Sequence, residues 1–412
     1  MNAKVAARSG MIMILMGVWT VSLYGQWTHT NGPINGQKTG CLAVSGSTLL
    51  AGTDSGGVFL STNTGTVWSP ANTGLTTPYV WALTFAGADL FAGTSSGVYK
   101  STNSGSNWAL ATTGLGTYGV SALATSGSNL FAGTEGGGVF LSTNAGANWK
   151  AVKTGLSNTS VRSLAIAGTM MFAGTLGGGV FLSTNNGTGW TAVNTDLGNT
   201  TVHALAFAGT TLFAGTGDGV YRSTNNGTTW TVTGTGLESA GAVYALAVSG
   251  TNLFAGTWVG SVFLSTDNGT SWKTVNTGLS GTGPIRSFAI VGTDLYAGVN
   301  TNGVWRRPLA ELITTSVKIP DQGIPATCTL GQNYPNPFNP MTTIEITVAA
   351  AGMTTLTVHD LLGREVASLV RADLQPGTYA VRFDATGLSS GVYLYRLRTG
   401  TFADTKRSVL MK

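Results

Sequence analysis

Charge is scarce in this sequence: Lys, Arg, Asp and Glu make up 9% of 412 residues, against about a quarter in ordinary soluble chains. That scarcity excludes a solvated acidic tail. The formal net charge of +5 comes without any run of Lys or Arg, so no nucleic-acid footprint is expected. Cysteine is nearly missing. The only two, Cys41 and Cys328, rule out a disulfide framework or a Cys-x-x-Cys metal knuckle and leave a single Cys41 to Cys328 bridge as an open question. The three histidines form no His-x-x-x-His pattern, so neither a metal nor a cofactor is expected. Apolar runs of the roughly 18 residues that a membrane helix needs are also lacking. The nearest is MIMILMGVWTVSLYG, which follows Lys4 and Arg8 and ends at a plausible cleavage point near Gly25. It predicts a secretory signal peptide over residues 1–25.

What is plentiful is glycine, 60 residues of it, and it recurs in a pattern. The octet STNTGTVW at 61–68 returns as STNSGSNW, STNAGANW, STNNGTGW, STNNGTTW and STDNGTSW, with tryptophans 40 to 42 residues apart. A fixed period of that size is the mark of a repeat architecture. Each unit reads V-x-A-L-A-x-x-G, N-L-F-A-G-T, G-G-V-F-L-S-T-N and W-T-A-V-N-T-G-L. These are four short runs rich in Val, Leu, Phe, Trp and Thr, bounded by turn residues, and they predict four antiparallel strands, one propeller blade.

Blades can be counted on the A-G-T glycines: Gly52, Gly93, Gly133, Gly174, Gly215, Gly256 and, as A-G-V, Gly298. The octets supply six tryptophans, and Trp27 lies 41 residues before Trp68. Trp27 is thus a fourth strand without its first three, and NGVWRRP at 302–308 is a third strand without its fourth. Together they predict a seventh blade that closes the ring and removes its exposed edges. The expected fold is all-β: a seven-bladed β-propeller over 26–310, a linker over 311–328, and a small immunoglobulin-like β-sandwich over 329–412.

In the octets, Asn63 and Trp68, Asn103 and Trp108, Asn144 and Trp149, Asn185 and Trp190, Asn225 and Trp230, and Asp267 and Trp272 hold equivalent places. An Asn or Asp here suits hydrogen bonds to its own turn, Gly suits a positive φ, and Trp suits packing between blades. A calcium loop needs several acidic oxygens, and one carboxylate in six copies is too few. The motif resembles the Asp-box, or BNR repeat, of sialidases, sortilin-type receptors and photosystem II assembly-factor propellers.

After the linker the period vanishes and alternating strands such as TIEITV, YAVRFD and VYLYRL begin, as in a small sandwich. The segment carries Tyr334, Pro335, Asn336 and Pro337 in YPNPFNP, then DLLGREV at 360–366, then Gly391 and Tyr393 in LSSGVYLYRL, then Lys406 and Arg407. These residues resemble the type A sorting domain of the type IX secretion system of Bacteroidota and their relatives. The resemblance implies a translocon and a sorting peptidase as partners, removal of the domain, and a protein that is secreted or held at the cell surface.

An enzyme would need acidic residues placed together. The propeller has only Glu135 and Glu238 as glutamates, and Asp54, Asp89, Asp196, Asp218, Asp267 and Asp294 mostly fall in turns. No catalytic residue is assigned. A better signal comes from the x of V-x-A-L, where otherwise near-identical repeats differ: Gly40, Trp81, Ser121, Arg162, His203, Tyr244 and Arg286. Of these, Trp81, Arg162, His203, Tyr244 and Arg286 are candidate ligand-binding residues on the face opposite the octets, because aromatics with Arg suit a glycan or protein contact. Tyr79, Tyr118, Glu135, Asp218 and Trp258 could extend that face. The competing reading is that these side chains only fill space between blades. The expected function is non-catalytic binding or scaffolding, against a divergent glycoside hydrolase or sialidase-like enzyme or a purely structural surface component.

Overall fold

The computed structural model describes residues 26–32, 37–280, 283–309, 312, 316–318 and 325–412. The predicted signal peptide lies outside them. Seven four-stranded antiparallel sheets follow one another from residue 28 to 308. Blade 1 is built from Thr39–Ser45, Thr48–Thr53, Val58–Ser61 and Ser69–Pro70, in that order outward. Blades 2 to 6 repeat it, with innermost strands Val80–Ala86, Val120–Ser126, Val161–Ala167, Val202–Ala208 and Val243–Ser249. Blade 7 combines Ile285–Val291, Asp294–Val299 and Gly303–Pro308 with the N-terminal strand Thr28–His29, Thr28 lying opposite Arg306. The split blade closes the ring.

The A-G-T glycine is explained by the next blade. A Cβ on Gly133 would stand 2.6 Å from Cγ1 of Val161, the first residue of the following innermost strand. The same approach recurs around the circle and ends with Gly298 against Thr39. Each second strand thus receives the β-branched residue of its neighbour, and the core consists of apolar clusters between successive blades rather than one central mass. Gly133→Ala overpacks one such junction. It should cost about 1–3 kcal/mol, read as a lower urea midpoint without loss of the β-sheet circular dichroism signal.

The octets form a self-satisfied turn. In the first, the Ser61 hydroxyl donates to Asn63 Oδ1 at 2.9 Å and accepts the Gly65 N–H at 2.9 Å, and Asn63 Oδ1 also accepts the Val67 N–H at 2.9 Å. Positive φ is needed not only at Gly65 but also at the residue before it, Thr64, with φ 54°. Asp267 makes the same contacts and adds one from the Ser271 hydroxyl. Partial burial works to raise its carboxyl pKa, but these hydrogen bonds outweigh it and hold the group below the usual range. The tryptophan indole N–H then latches blade to blade: Trp108 donates to Ala71 O, Trp149 to Ala111 O, Trp190 to Val152 O and Trp230 to Val193 O. Trp272 is the exception. Its buried indole nitrogen has no hydrogen-bond partner among the described residues, and the preceding blade runs differently there, with Gly234 N–H bonded to Gly269 O.

The C-terminal sandwich has two sheets. One runs Ser316–Lys318, Gly377–Asp384, Met341–Val348, Thr329–Leu330, and the other Glu365–Leu374, Gly352–His359, Gly391–Thr399, Phe402–Leu410. Ile344, Ile346, Leu356, Val358, Val381, Phe383, Tyr395 and Leu397 fill the space between them. Part of the segment expected to be linker is therefore strand, since Ser316–Lys318 pairs with the 377–384 strand. Leu312, two residues past the expected propeller boundary, is buried in the last blade's cluster. Cys41 and Cys328 are both unpaired thiols, and the Cys328 sulfur accepts the Ala349 N–H.

Candidate functional site

The variable x residue has one structural character in all seven blades. The innermost strand and its neighbour slip register there: Val80 lies opposite Thr94 and Ala82 opposite Gly93, so Trp81 has no partner of its own. The same slip leaves out Gly40, Ser121, Arg162, His203, Tyr244 and Arg286. Each is the extra residue of a β-bulge. A bulge residue is released from the ladder and its side chain is re-aimed, which is why bulges gather beside functional sites. The innermost strands touch their neighbours around the ring, the last closing on the first, so the bulges surround one mouth. That mouth is at the start of the innermost strands, the end away from the octets.

Four of the seven converge. The His203 and Tyr244 rings stack, centroids 4.1 Å apart and 15° from parallel. Tyr244 also meets Trp258 of its own blade at 5.4 Å, and the Arg286 guanidinium lies 5.9 Å from the Tyr244 ring on the next blade. Arg162 forms a 2.8 Å ion pair with Glu135 of the preceding blade. The outcome is an arc over blades 3 to 7: an aromatic shelf with a guanidinium at each side. Trp258 is 51% exposed, and Arg286 Nε is buried with no hydrogen-bond partner among the described residues.

The imidazole of His203 is pushed down to about 4, first by burial and then by the charges of Arg162 and Arg286. It is neutral at physiological pH. An unfolded histidine titrates near about 6.5, so between there and about 4 the unfolded chain holds the extra proton and stability falls as pH falls. Above about 6.5 this contribution is fully present. The urea midpoint of wild type should therefore fall relative to that of His203→Gln as pH is lowered from about 6.5 toward about 4.

The other expected residues go elsewhere. Trp81 lies against Gly119, where a Cβ would come 2.6 Å from its ring. Ser121 donates to Val161 O and ties blade 3 to blade 4. Gly40 leaves its place open beside Asp54, whose Oδ1 is buried and without a hydrogen-bond partner among the described residues. Tyr79 and Tyr118 are exposed on loops of the same face, Tyr118 meeting Phe140 at 6.0 Å. Asp218 is engaged by Thr216 and Tyr221. Sequence reasoning passed over Leu176, 41% exposed at the position equivalent to Glu135 and Trp258; its place directly after A-G-T was the available signal. Of the other carboxylates here, Glu135 is held by an arginine, Asp218 by hydroxyls and Glu238 by the Gly236 N–H. Among the described residues no group of three or more His, Cys, Asp or Glu is placed to hold a metal ion.

Residues 332–411 match the family of secretion system C-terminal sorting domains. The C-terminal sandwich is a sorting domain. It directs the chain by the type IX route to the cell surface or the extracellular space. No helix of the described residues is long and apolar enough to cross a membrane. No curated protein matches the sequence.

Solved structures share the fold. PorZ, a surface component of the type IX secretion system of Porphyromonas gingivalis, is 15% identical with a TM-score of 0.54; the match covers 90% of this chain and 59% of PorZ. YCF48 bound to D1 peptide gives 14% identity and a TM-score of 0.57, over 69% of this chain and 97% of that one. A GH74 enzyme of Niastella koreensis gives 15% and 0.55, over 90% and 72%. At such identities the likeness shows the fold alone.

Proposed function

We propose that this protein is an exported propeller that binds a glycan or protein ligand without catalysis, carried out through the type IX translocon and relieved of its sorting domain by a sorting peptidase. The convergence of bulge residues carries this reading. Four positions that the ladder does not use place two guanidinium groups and two stacked rings, with Trp258, on one mouth of the ring. Such a shelf suits the flat apolar face of a sugar or an aromatic side chain, with the guanidinium groups taking acceptors or a carboxylate. Screening the 26–412 chain against glycan and peptide arrays tests the proposal. Selective binding supports it, whereas a silent array or release of reducing ends from the glycans would overturn it.

A further inference from the structure

Buried polar atoms without a partner gather where blade 7 meets blade 1. Among the described residues, Thr39 Oγ1, Asp54 Oδ1, Arg286 Nε, Ser287 Oγ and Asn300 Oδ1 make no hydrogen bond. Thr39 and Ser287 stand side by side at the junction, since a Cβ on Gly298 would run into both. Thr39 is fully buried, at a place where blades 2 to 6 carry Val and blade 7 carries Ile. Folded chains leave few buried polar atoms unpaired, and a group of them at one spot calls for an external partner.

The spot opens to the mouth through Gly40. In every blade the N–H of the residue after A-G-T bonds the carbonyl two residues before x, as Asp54 does with Lys38, Glu135 with Gly119 and Asn300 with Pro284. In blade 3 that residue, Glu135, reaches x of the next blade and pairs with Arg162. Asn300 holds the same place on blade 7, and the x of the next blade is Gly40, which offers no side chain. Asp54 comes to the same point from blade 1: a Cβ on Gly40 would lie 3.5 Å from its Oδ1. Nothing in the fold asks for glycine there. Gly40 has no positive φ, and that Cβ would meet nothing nearer than Val80 O at 3.4 Å, unlike a Cβ on the A-G-T glycines. Gly40, Asp54, Arg286 and Asn300 are all partly exposed, so a ligand at the mouth can reach the polar atoms that lie inside.

We infer that this junction, on the reading that the mouth binds a ligand, is a subsite for the vicinal hydroxyls of a neutral glycan. A hydroxyl both donates and accepts, and the junction offers acceptors in Asp54 and Asn300, a donor in Arg286 and hydroxyls in Thr39 and Ser287. A cation would satisfy the acceptors but meet the Arg286 guanidinium, and an anion would meet the Asp54 carboxylate. The ammonium or carboxylate of a peptide therefore suits the junction less than an uncharged diol. Arg286 also joins the two parts of the site: its guanidinium lies 5.9 Å from the Tyr244 ring, while its Nε belongs to the junction. A sugar stacked on the shelf thus has the polar groups of the junction along its edge.

The test compares variants of the 26–412 chain on arrays of neutral oligosaccharides and of peptides, with the best glycan then titrated by calorimetry. Wild type should bind glycans. Asp54→Ala removes an acceptor, and Gly40→Arg fills the subsite with the side chain that blade 4 carries at Arg162; each should weaken glycan binding at least tenfold. Both should melt at or above the wild-type temperature, because an unpartnered buried acceptor is lost in the first and gains a partner in the second. Ser95→Ala, at the place after A-G-T on blade 2, should bind as wild type does, and an equal defect there overturns the inference. Glycan binding that survives both subsite substitutions yet is lost in Tyr244→Ala overturns the subsite and leaves the shelf standing. Binding of peptides alone overturns the subsite as well, and binding of nothing on either array overturns shelf and subsite together. Should Gly40→Arg melt early, Asp54→Ala decides alone; a fall in its own melting temperature would mean that Asp54 serves the fold, which also overturns the inference.

Discussion

Trp27→Ala should lower the stability of the propeller by about 3–5 kcal/mol, the usual cost of emptying a buried aromatic site. Trp27 is 1% exposed, its indole N–H donates to Val275 O at 2.7 Å and its backbone N–H to Thr277 O at 2.8 Å. It also anchors a strand that sequence order places almost 300 residues from its partners. Behind it, Thr28 and His29 pair with Arg306 and Trp305, and the Thr30 N–H bonds Val304 O. When the anchor is lost, Gly303–Pro308 becomes an unpaired edge that can recruit another chain. Trp230→Ala removes a comparable ring inside a continuous blade and serves as the comparison. Both variants should lose urea stability, but only Trp27→Ala should show added dimer or larger species by light scattering. Equal behaviour would mean that the closure has no role of its own.

Tyr244→Ala should weaken ligand binding about 30-fold, the equivalent of about 2 kcal/mol, as expected for an aromatic at the centre of a recognition surface. Tyr244 touches three members of the arc: His203 at 4.1 Å, Trp258 at 5.4 Å and Arg286 at 5.9 Å. Its loss leaves Arg286 without a ring beneath it and His203 without its stack. The residue lies outside the strand ladder, so the stability loss should stay within the worth of its two ring pairs, about 1–3 kcal/mol at about 0.5–1.5 kcal/mol each. Titration by NMR gives an independent readout. With less burial, the His203 midpoint should move up from about 4 toward the ordinary histidine value.

Much of the fold was legible because the rules behind it are local and repeated. The A-G-T glycines and the octet tryptophans stand once per blade, and the orphan Trp27 at the right spacing announced the closure. The arc was only half legible. Variation at x among near-identical repeats singled out the positions that form the bulges, but a bulge is a property of register between two strands, and V-x-A-L alone reads as ordinary alternation. Which x residues meet depends on how each side chain leaves its bulge: Trp81 turns onto Gly119 and Ser121 onto Val161 O, while His203 and Tyr244 lie flat on each other. The strand Ser316–Lys318 escaped notice because three residues between PLAELITT and IPDQGIPAT give too short a period to see, and its partner residues are Tyr379 to Val381, far along the chain.

Arg162, His203, Tyr244 and Arg286 are expected to be dispensable for the fold and to serve recognition. The most direct test converts all of them together to serine, the residue that blade 3 already carries at Ser121. Melting temperature and ligand binding are then measured on the same preparation. The structure predicts a fold that melts within a few degrees of wild type and binds nothing on the array. A variant that unfolds would show that these side chains are packing between blades, and one that still binds would place the ligand elsewhere.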